Sequence, residues 1–373
     1  MGSNLPSHPV IRTPLALFNG SYLGTKPTGI GVVARDLVEA LNPALVPLLD
    51  PLGSDRPGSQ TIPSNLSPEH GSRGHMRRLI WTQQHLPTLL KASGAPLLLS
   101  PLPEAPLLRG VRSVVIAHDL LPLRYPQPTP LLAYHLAYVP LVLHRAVRVL
   151  CNSEATAREV HGRLGVPVRH LEVIRLGFNP GNLRPLGQQR EPFLLVLGRH
   201  DPHKNLMRVL KAFALACSHQ HSATRDLELR LVGPLDRRYT PRLQAMATEL
   251  GIAGRCRWIP WVSDEERLQL LNRCQALVIT SLWEGFGLPA LEAMACGATV
   301  IAANTGALPE VIGDTGLLVD PMKPEAIASA IKEVLLNPTI EKETVNKGPA
   351  RAATFSWSKT ASRIEDLLAE LSR

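Results

Sequence analysis

The sequence predicts an α/β protein built from two doubly wound parallel-sheet, Rossmann-like domains that face one another across a cleft. Three observations predict it. Apolar runs of strand length alternate with helical stretches through both halves, several runs end in glycine-bearing turns that lead into a helix, and 373 residues exceed what one hydrophobic core usually serves. The expected boundaries are 1–185 for the first domain and 190–355 for the second.

Residues 14 to 19 read as the first strand. Gly29-Ile-Gly31 opens a helix from Val32 to Leu41, where Leu37, Val38 and Leu41 have helical spacing. Ala44 to Leu49 is a second strand ending at Asp50. Gly29 to Ala34 also matches G-x-G-x-x-A, with an acid nineteen residues beyond Gly31. An NAD(P)-dependent oxidoreductase is therefore an alternative reading. Against it, that fingerprint joins strand to first glycine directly, and here Gly20 to Thr28 intervene.

Residues 51–74, rich in Pro, Ser and Gly, read as a surface loop. His75 to Ala92 reads as one amphipathic helix carrying Arg77, Arg78 and Lys91, either a solvated basic face or one turned to an acceptor or lipid. Val114 to Ala117 is a strand ending in His118-Asp119, the place where open α/β sheets put ligands. Leu131 to Cys151 is the most apolar stretch, but His135, Pro140, His144 and Arg145 break it. It suits a buried helix pair better than a membrane span. Val147 to Asn152 is a strand, Ser153 caps a helix from Glu154 to Leu164, and Val173 to Leu176 closes the first domain.

Residues 180–192 read as the linker. Phe193 to Leu197 starts the second sheet and runs into Gly198-Arg-His-Asp-Pro-His-Lys-Asn205, then a helix from Leu206 to Cys217. Arg199 and Lys204 bracket that turn, a bidentate donor and a point charge suited to a diphosphate. Further strands fall at Leu227 to Val232 and Cys256 to Ile259, and helices at Pro241 to Leu250 and after Trp261.

The densest stretch is Ser281-Leu-Trp-Glu-Gly-Phe-Gly-Leu-Pro-Ala-Leu-Glu292. It follows an apolar strand, Ala276 to Thr280, and opens a helix from Pro289 to Cys296, with Gly297 as C-terminal cap. Gly285 and Gly287 let the chain turn sharply and approach a ligand. The helix start offers unpaired N–H groups to a phosphate. Glu284 in the loop and Glu292, expected in the first helical turn, flank that site. Phosphate alone does not explain two acids, whereas ribose or sugar hydroxyls do. A strand at Thr299 to Ala303 and helices at Pro324 to Leu336 and Phe355 to Leu371 follow.

Glu284 and Glu292 form an E-x7-E pair in E-G-F-G-L-P-A-L-E-A-M-A-C-G, and this resembles the signature of the retaining glycosyltransferases of family 4. The likeness continues through Asn304 to Asp314 and Leu318 to Pro321, and is looser in the first half. It implies the GT-B fold and transfer of a hexosyl group, mannose or glucose, from a nucleoside-diphosphate sugar to a hydroxyl acceptor with retention. It implies that Arg199 and Lys204 hold the diphosphate, with the backbone at Phe286, Gly287 and Leu288. Glu284 would hold sugar hydroxyls, Glu292 the ribose, and His118 the donor sugar. Gly31 would approach the phosphates, and the backbone around Trp258 to Val262 the base. The resemblance also implies that the final helix, 356–373, returns to the first domain. A catalytically inactive sugar-nucleotide-binding protein is a further alternative, disfavoured by the joint presence of Arg199, Lys204, Glu284 and Glu292.

No D-x-D occurs and no His/Cys cluster has zinc spacing, so neither a metal nor another cofactor is expected. The net charge of 40 − 31 = +9 is spread along the chain, and aromatic residues are 4%. That fits an anionic ligand or weak attraction to an anionic membrane surface, not nucleic acid. Five cysteines without a C-x-x-C pair, and a start lacking a signal pattern, point to a cytoplasmic protein, soluble or at the membrane's inner face.

Overall fold

A computed structural model describes residues 13–25, 29–108, 110–218 and 222–373. The expected start of the chain and the end of the 20–28 loop lie outside the described residues. Most strands form where short β-branched or Leu-rich runs are buried on both faces, as the interior of a parallel sheet requires, while the edge strands of the first sheet are more exposed. In the first half they are β1 Leu17–Asn19, β2 Leu48–Asp50, β3 Gln60–Thr61, β4 Leu98–Ser100, β5 Ser113–Ala117, β6 Arg148–Cys151 and β7 Leu171–Val173. In the second half they are β8 Phe193–Leu197, β9 Glu228–Val232, β10 Cys256–Ile259, β11 Ala276–Ile279, β12 Val300–Ala303 and β13 Leu317–Val319.

Two sheets result, ordered β3-β2-β1-β4-β5-β6-β7 and β10-β9-β8-β11-β12-β13, and every pairing is parallel. Each is sandwiched between two apolar clusters. In the second sheet the strand order reverses between neighbours β8 and β11. Ligands of doubly wound sheets bind at such a reversal, outside the carboxyl ends of the strands. The turn with Arg199 and Lys204 follows β8, and the loop with Glu284 follows β11, so topology alone brings these two segments together.

The final helix, Trp357–Leu371, buries Ala361, Ile364, Leu367 and Leu368 against Leu37, Val38 and Leu41 of the first half. At about 1.5–3 kcal/mol for each large side chain, this crossing ties the chain's end to its beginning.

Several expectations change. The second strand starts at Leu48 rather than Ala44, because Asn42 to Val46 close a turn through Leu45 N→Asn42 O and Val46 N→Asn42 O. The loop at 51–74 contains β3, two short 3₁₀ turns and the start of a helix at Gly71. The single helix expected over 75–92 is two, Gly71–Gln84 and Leu86–Ser93, since Pro87 cannot donate within a continuing helix. Arg78 is no solvated charge but a buried partner of Glu104. β4, at the centre of the first sheet, was not expected, since prolines bound its short apolar run. The helix pair after Leu131 exists, but Pro130–Ala137 buries no residue, and only Val139–Arg145 packs inward. The first domain's last strand lies at Leu171–Val173, upstream of the expected Val173 to Leu176. Among the described residues no helix is long and apolar enough to cross a membrane.

The halves meet through polar contacts. The carboxylate of Glu310 accepts from Glu154 N (2.9 Å) and Ala155 N (2.8 Å), capping the helix Glu154–Leu164 from the other half. Ser153 caps the same helix through Thr156 N. Glu310→Ala is expected to lower stability by about 1 kcal/mol in urea unfolding, the usual worth of a cap. An unchanged midpoint would mean that Ser153 alone suffices.

Candidate active site

Lys204 ends the turn Pro202–Lys204, and Asn205 behind it adopts φ +63°. Asparagine tolerates this left-handed conformation, and here its side chain fixes it by donating to Thr280 O (2.9 Å) and Pro321 O (2.7 Å). The turn is thereby pinned to the end of β11, and Lys204 Nζ lies 2.7 Å from Glu284 Oε1. The Glu284 carbonyl accepts from Ala307 N at 3.0 Å. Gly287 then takes φ +99° and caps the helix Leu288–Ala295, a backbone state that favours glycine.

Gly285 faces the first half. A Cβ there would lie 2.4 Å from the carbonyl oxygen of His118 and 3.0 Å from Asp119 Cβ. Ser153 Oγ donates to Gly285 O at 3.1 Å, and Thr156 Oγ1 to His118 O at 3.2 Å. The glycine loop of one half is thus fastened against the β5 end of the other. Tyr125 stacks on His203 with ring centroids 5.8 Å apart, and the Arg124 guanidinium lies 3.7 Å above the Trp283 ring.

Three cavities line this junction. One, of about 680 Å³, is bounded by Gly29 and Val33 on one side and Arg267, Leu288 and Glu292 on the other. A second, of about 530 Å³, lies in the first half beside His118 and Asp119. A third, of about 300 Å³, holds Arg199, His203 and Arg238.

The expected residues divide among them. Lys204 and Glu284 are brought together. Arg199 is exposed, ion-paired to Asp201 at 3.0 Å, and sits on the third cavity. Glu292 stands in the second helical turn, not the first, because the helix begins at Leu288. Arg267 Nη1 approaches it at 3.3 Å, yet burial still raises its pKa. Arg267 was missed by sequence reasoning; its only signal is its place one turn beyond the Ser263 cap. Gly31 is buried in its helix, and Gly29 is the glycine at the cavity wall. Phe286 is buried, its ring edge on Phe355. The Trp258 side chain packs edge-on against His200 at 5.4 Å and lines none of the three cavities. Val262 packs half-buried on the second core. The Val262 side chain is therefore a packing group, while Trp258 also borders a separate cavity beside Arg230 and Arg257.

Asp50, the acid of the dinucleotide alternative, is buried and accepts from Leu52 N, Ser54 N and Ser54 Oγ. Burial pushes its pKa up, but these bonds hold it below the usual range. It has little capacity left for a ribose. All five cysteines are free. Among the described residues no group of three or more His, Cys, Asp or Glu could hold a metal ion.

His118 Nε2 lies 2.8 Å from Pro101 O and so carries the proton. Burial lowers its pKa from 6.5 to about 4. The unfolded chain therefore binds a proton that the native state refuses as pH falls from about 6.5 to about 4. Native stability is complete above that window and declines within it, by about 3 kcal/mol at most for this group. His75, His135, His200 and His203 shift the same way through burial. The urea midpoint is expected to drop from pH 7 to pH 4.5, and less steeply in His118→Gln; equal slopes would exclude a buried neutral His118.

Comparison with known proteins agrees with this geometry. The family model "Glycosyl transferases group 1" matches residues 184–351, and "Glycosyltransferase Family 4" matches 27–182. The chain is 31% identical over 227 residues to an MMP alpha-(1->4)-mannosyltransferase of Mycolicibacterium hassiacum, covering 60% of this chain and 54% of that one. It is 34% identical over 170 residues to O-antigen chain mannosyltransferase B of Escherichia coli, covering 44% and 42%. It is 32% identical over 248 residues to a D-inositol 3-phosphate glycosyltransferase of Acidothermus cellulolyticus, covering 61% and 55%. The chain thus spans about half the length of the curated relatives it matches. Among solved structures, sucrose-phosphate synthase from Thermosynechococcus elongatus superposes with a TM-score of 0.71 at 22% identity, covering 96% of this chain and 99% of that one. Anabaena Alr3699/HepE in complex with UDP and glucose gives 0.69 at 21%, covering 95% and 99%. These two support the fold, which is GT-B. Two adjoining family matches, one to each half and meeting at the linker, make the chain a member of the group 1 glycosyltransferases, with a first half of the family 4 type.

Proposed function

We propose that the protein is a retaining, metal-independent hexosyltransferase, moving mannose or glucose from a nucleoside-diphosphate sugar to a hydroxyl acceptor. The observation that carries this is the Lys204–Glu284 pair at 2.7 Å, set between the β8 turn and the glycine loop where the second sheet reverses. A lysine there balances a diphosphate leaving group, and the helix start at Leu288 adds N–H donors. Glu284 receives sugar hydroxyls once the lysine turns to phosphate. The cavity with Glu292 and Arg267 takes the nucleoside, its carboxylate facing ribose hydroxyls. The cavity beside His118 takes the acceptor, and His118 contacts the donor sugar at its mouth.

No side chain is placed as a covalent nucleophile, so the departing phosphate takes the acceptor's proton on the face where attack occurs. Arg199 would swing from Asp201 toward the diphosphate as the site fills. The mannosyl relatives and the UDP-bound neighbour support a nucleotide-sugar donor. The free cysteines suit a reducing cytoplasm. Exposed Met76 and Ile80 on the helix that carries exposed Arg77 suit weak contact with an anionic membrane.

The test is a thermal-shift series with UDP-, GDP- and ADP-hexoses, with and without EDTA, followed by donor hydrolysis. At least one donor is expected to raise Tm equally in both conditions. No shift from any donor, or a requirement for Mn²⁺, sinks the proposal.

A further inference from the structure

Among the described residues, the charged side chains that line the cavity of about 680 Å³ are Arg35 and Asp36 on one wall and Asp264, Arg267 and Glu292 on the other. Arg35 and Asp36 are paired with each other at 2.9 Å. On the opposite wall the Arg267 guanidinium bridges two acids. Its Nη2 donates to Asp264 Oδ1 at 3.0 Å, and its Nη1 approaches Glu292 Oε1 at 3.3 Å.

The two acids differ in setting. Asp264 is 90% exposed and lies one turn away on the same helix, so its pairing is a screened surface contact of little worth. The Glu292 side chain is 18% exposed, and Arg267 is the one cation within 4 Å of it among the described residues. A carboxylate at that depth is costly without such a partner. Burial raises the Glu292 pKa, and the guanidinium opposes that rise.

Local sequence places the arginine. Ser263 and Glu266 close the capping box that starts the helix Asp264–Arg273, and Leu268 and Leu271 bury its inner face. Arg267 sits between cap and core, on the flank beside the helix Leu288–Ala295 that carries Glu292. An ionised carboxylate only accepts, and it has about four acceptor positions on its two oxygens. With Oε1 against Arg267, Oε2 keeps room for hydroxyl donors of a ligand.

Resting on the transfer reaction proposed above, in which this cavity takes the nucleoside, we infer that Arg267 is a positioning residue for ribose recognition. It holds Glu292 by Oε1, keeps Oε2 turned to the ribose 2′- and 3′-hydroxyls, and so sets a preference for ribonucleotides over their deoxy forms.

The experiment uses the full chain. UDP, GDP and ADP are titrated by calorimetry, and the tightest is compared with its 2′-deoxy and 3′-deoxy forms in wild type, Arg267→Ala and Arg267→Lys. Wild type is expected to favour the ribonucleotide at least about tenfold over one or both deoxy forms, as loss of a hydroxyl from an ionised partner commonly gives. In Arg267→Ala that ratio is expected to shrink to about twofold or less, because the ribonucleotide weakens more than the deoxy form. Arg267→Lys keeps the charge but not the fork, and should recover part of the ratio. A general loosening of the site would weaken all forms alike and leave the ratio standing. Arg267→Gln takes the place of the alanine variant if circular dichroism shows the latter unfolded. A ratio unchanged in the folded neutral variant, or tighter ribonucleotide binding by it, overturns the inference and leaves the transferase reading intact. So does a wild type that binds the deoxy forms equally well. Failure of wild type to bind any of the three diphosphates sinks the transferase reading, and this inference with it.

Discussion

Lys204→Ala is expected to lower kcat by about 10²–10³, the usual consequence of removing one preorganised group from a developing negative charge. Lys204 holds Glu284 at 2.7 Å in the resting site and, in the proposed reaction, is the cation that meets the leaving diphosphate. Its position comes from Asn205, which ties the turn to Thr280 O and Pro321 O, so the backbone should survive loss of the amine. Lys204→Arg keeps the charge but not the compact head, and should retain part of the rate. Steady-state kinetics with circular dichroism on the same samples decide the matter. Wild-type turnover in a folded Lys204→Ala protein would remove the leaving-group role.

Gly285→Ala is expected to reduce turnover at least a hundredfold and to destabilise by about 1–3 kcal/mol, the range seen when a packed interior is overfilled. The added methyl would meet the His118 carbonyl oxygen at 2.4 Å. Backbone lies on both sides, so neither half can yield by a rotamer change. The clash would part the glycine loop from His118 and loosen the bonds from Ser153 and Thr156 to Gly285 O. Donor binding in the second half should suffer less than transfer, because Glu292 and Leu288 lie on the other side of the loop. A melting temperature and kcat both matching wild type would show that the halves are not fastened here.

The alternation of strands and helices could be read along the chain because the inner parallel strands are runs buried on both faces, and the turns after them carry glycine, proline or a cap. Phe193–Leu197, Cys256–Ile259, Glu154–Leu164 and Leu206–Cys217 fall where local pattern puts them. β4 escaped because the four residues between Pro96 and Pro101 hold too little periodicity to announce a strand. The break at His85 escaped because the apolar spacing continues across it and Pro87 acts only locally.

The candidate site followed the same division. Arg199, Lys204, Glu284 and Glu292 were legible because turns after strands repeat a recognisable chemistry at fixed spacing. Their partners were not. That Lys204 faces Glu284, that Arg267 faces Glu292 and that Glu310 caps a helix of the other half depend on side chains 80, 25 and 156 residues apart in sequence. The sequence by itself determined the two Rossmann-like halves and the types of group at their strand ends, since these rest on neighbours within a few residues. Only the tertiary structure decided which charges are free and which are already neutralised, as at Arg78 and Glu104, because Coulomb pairing and burial are set by distance in space and by the exclusion of water.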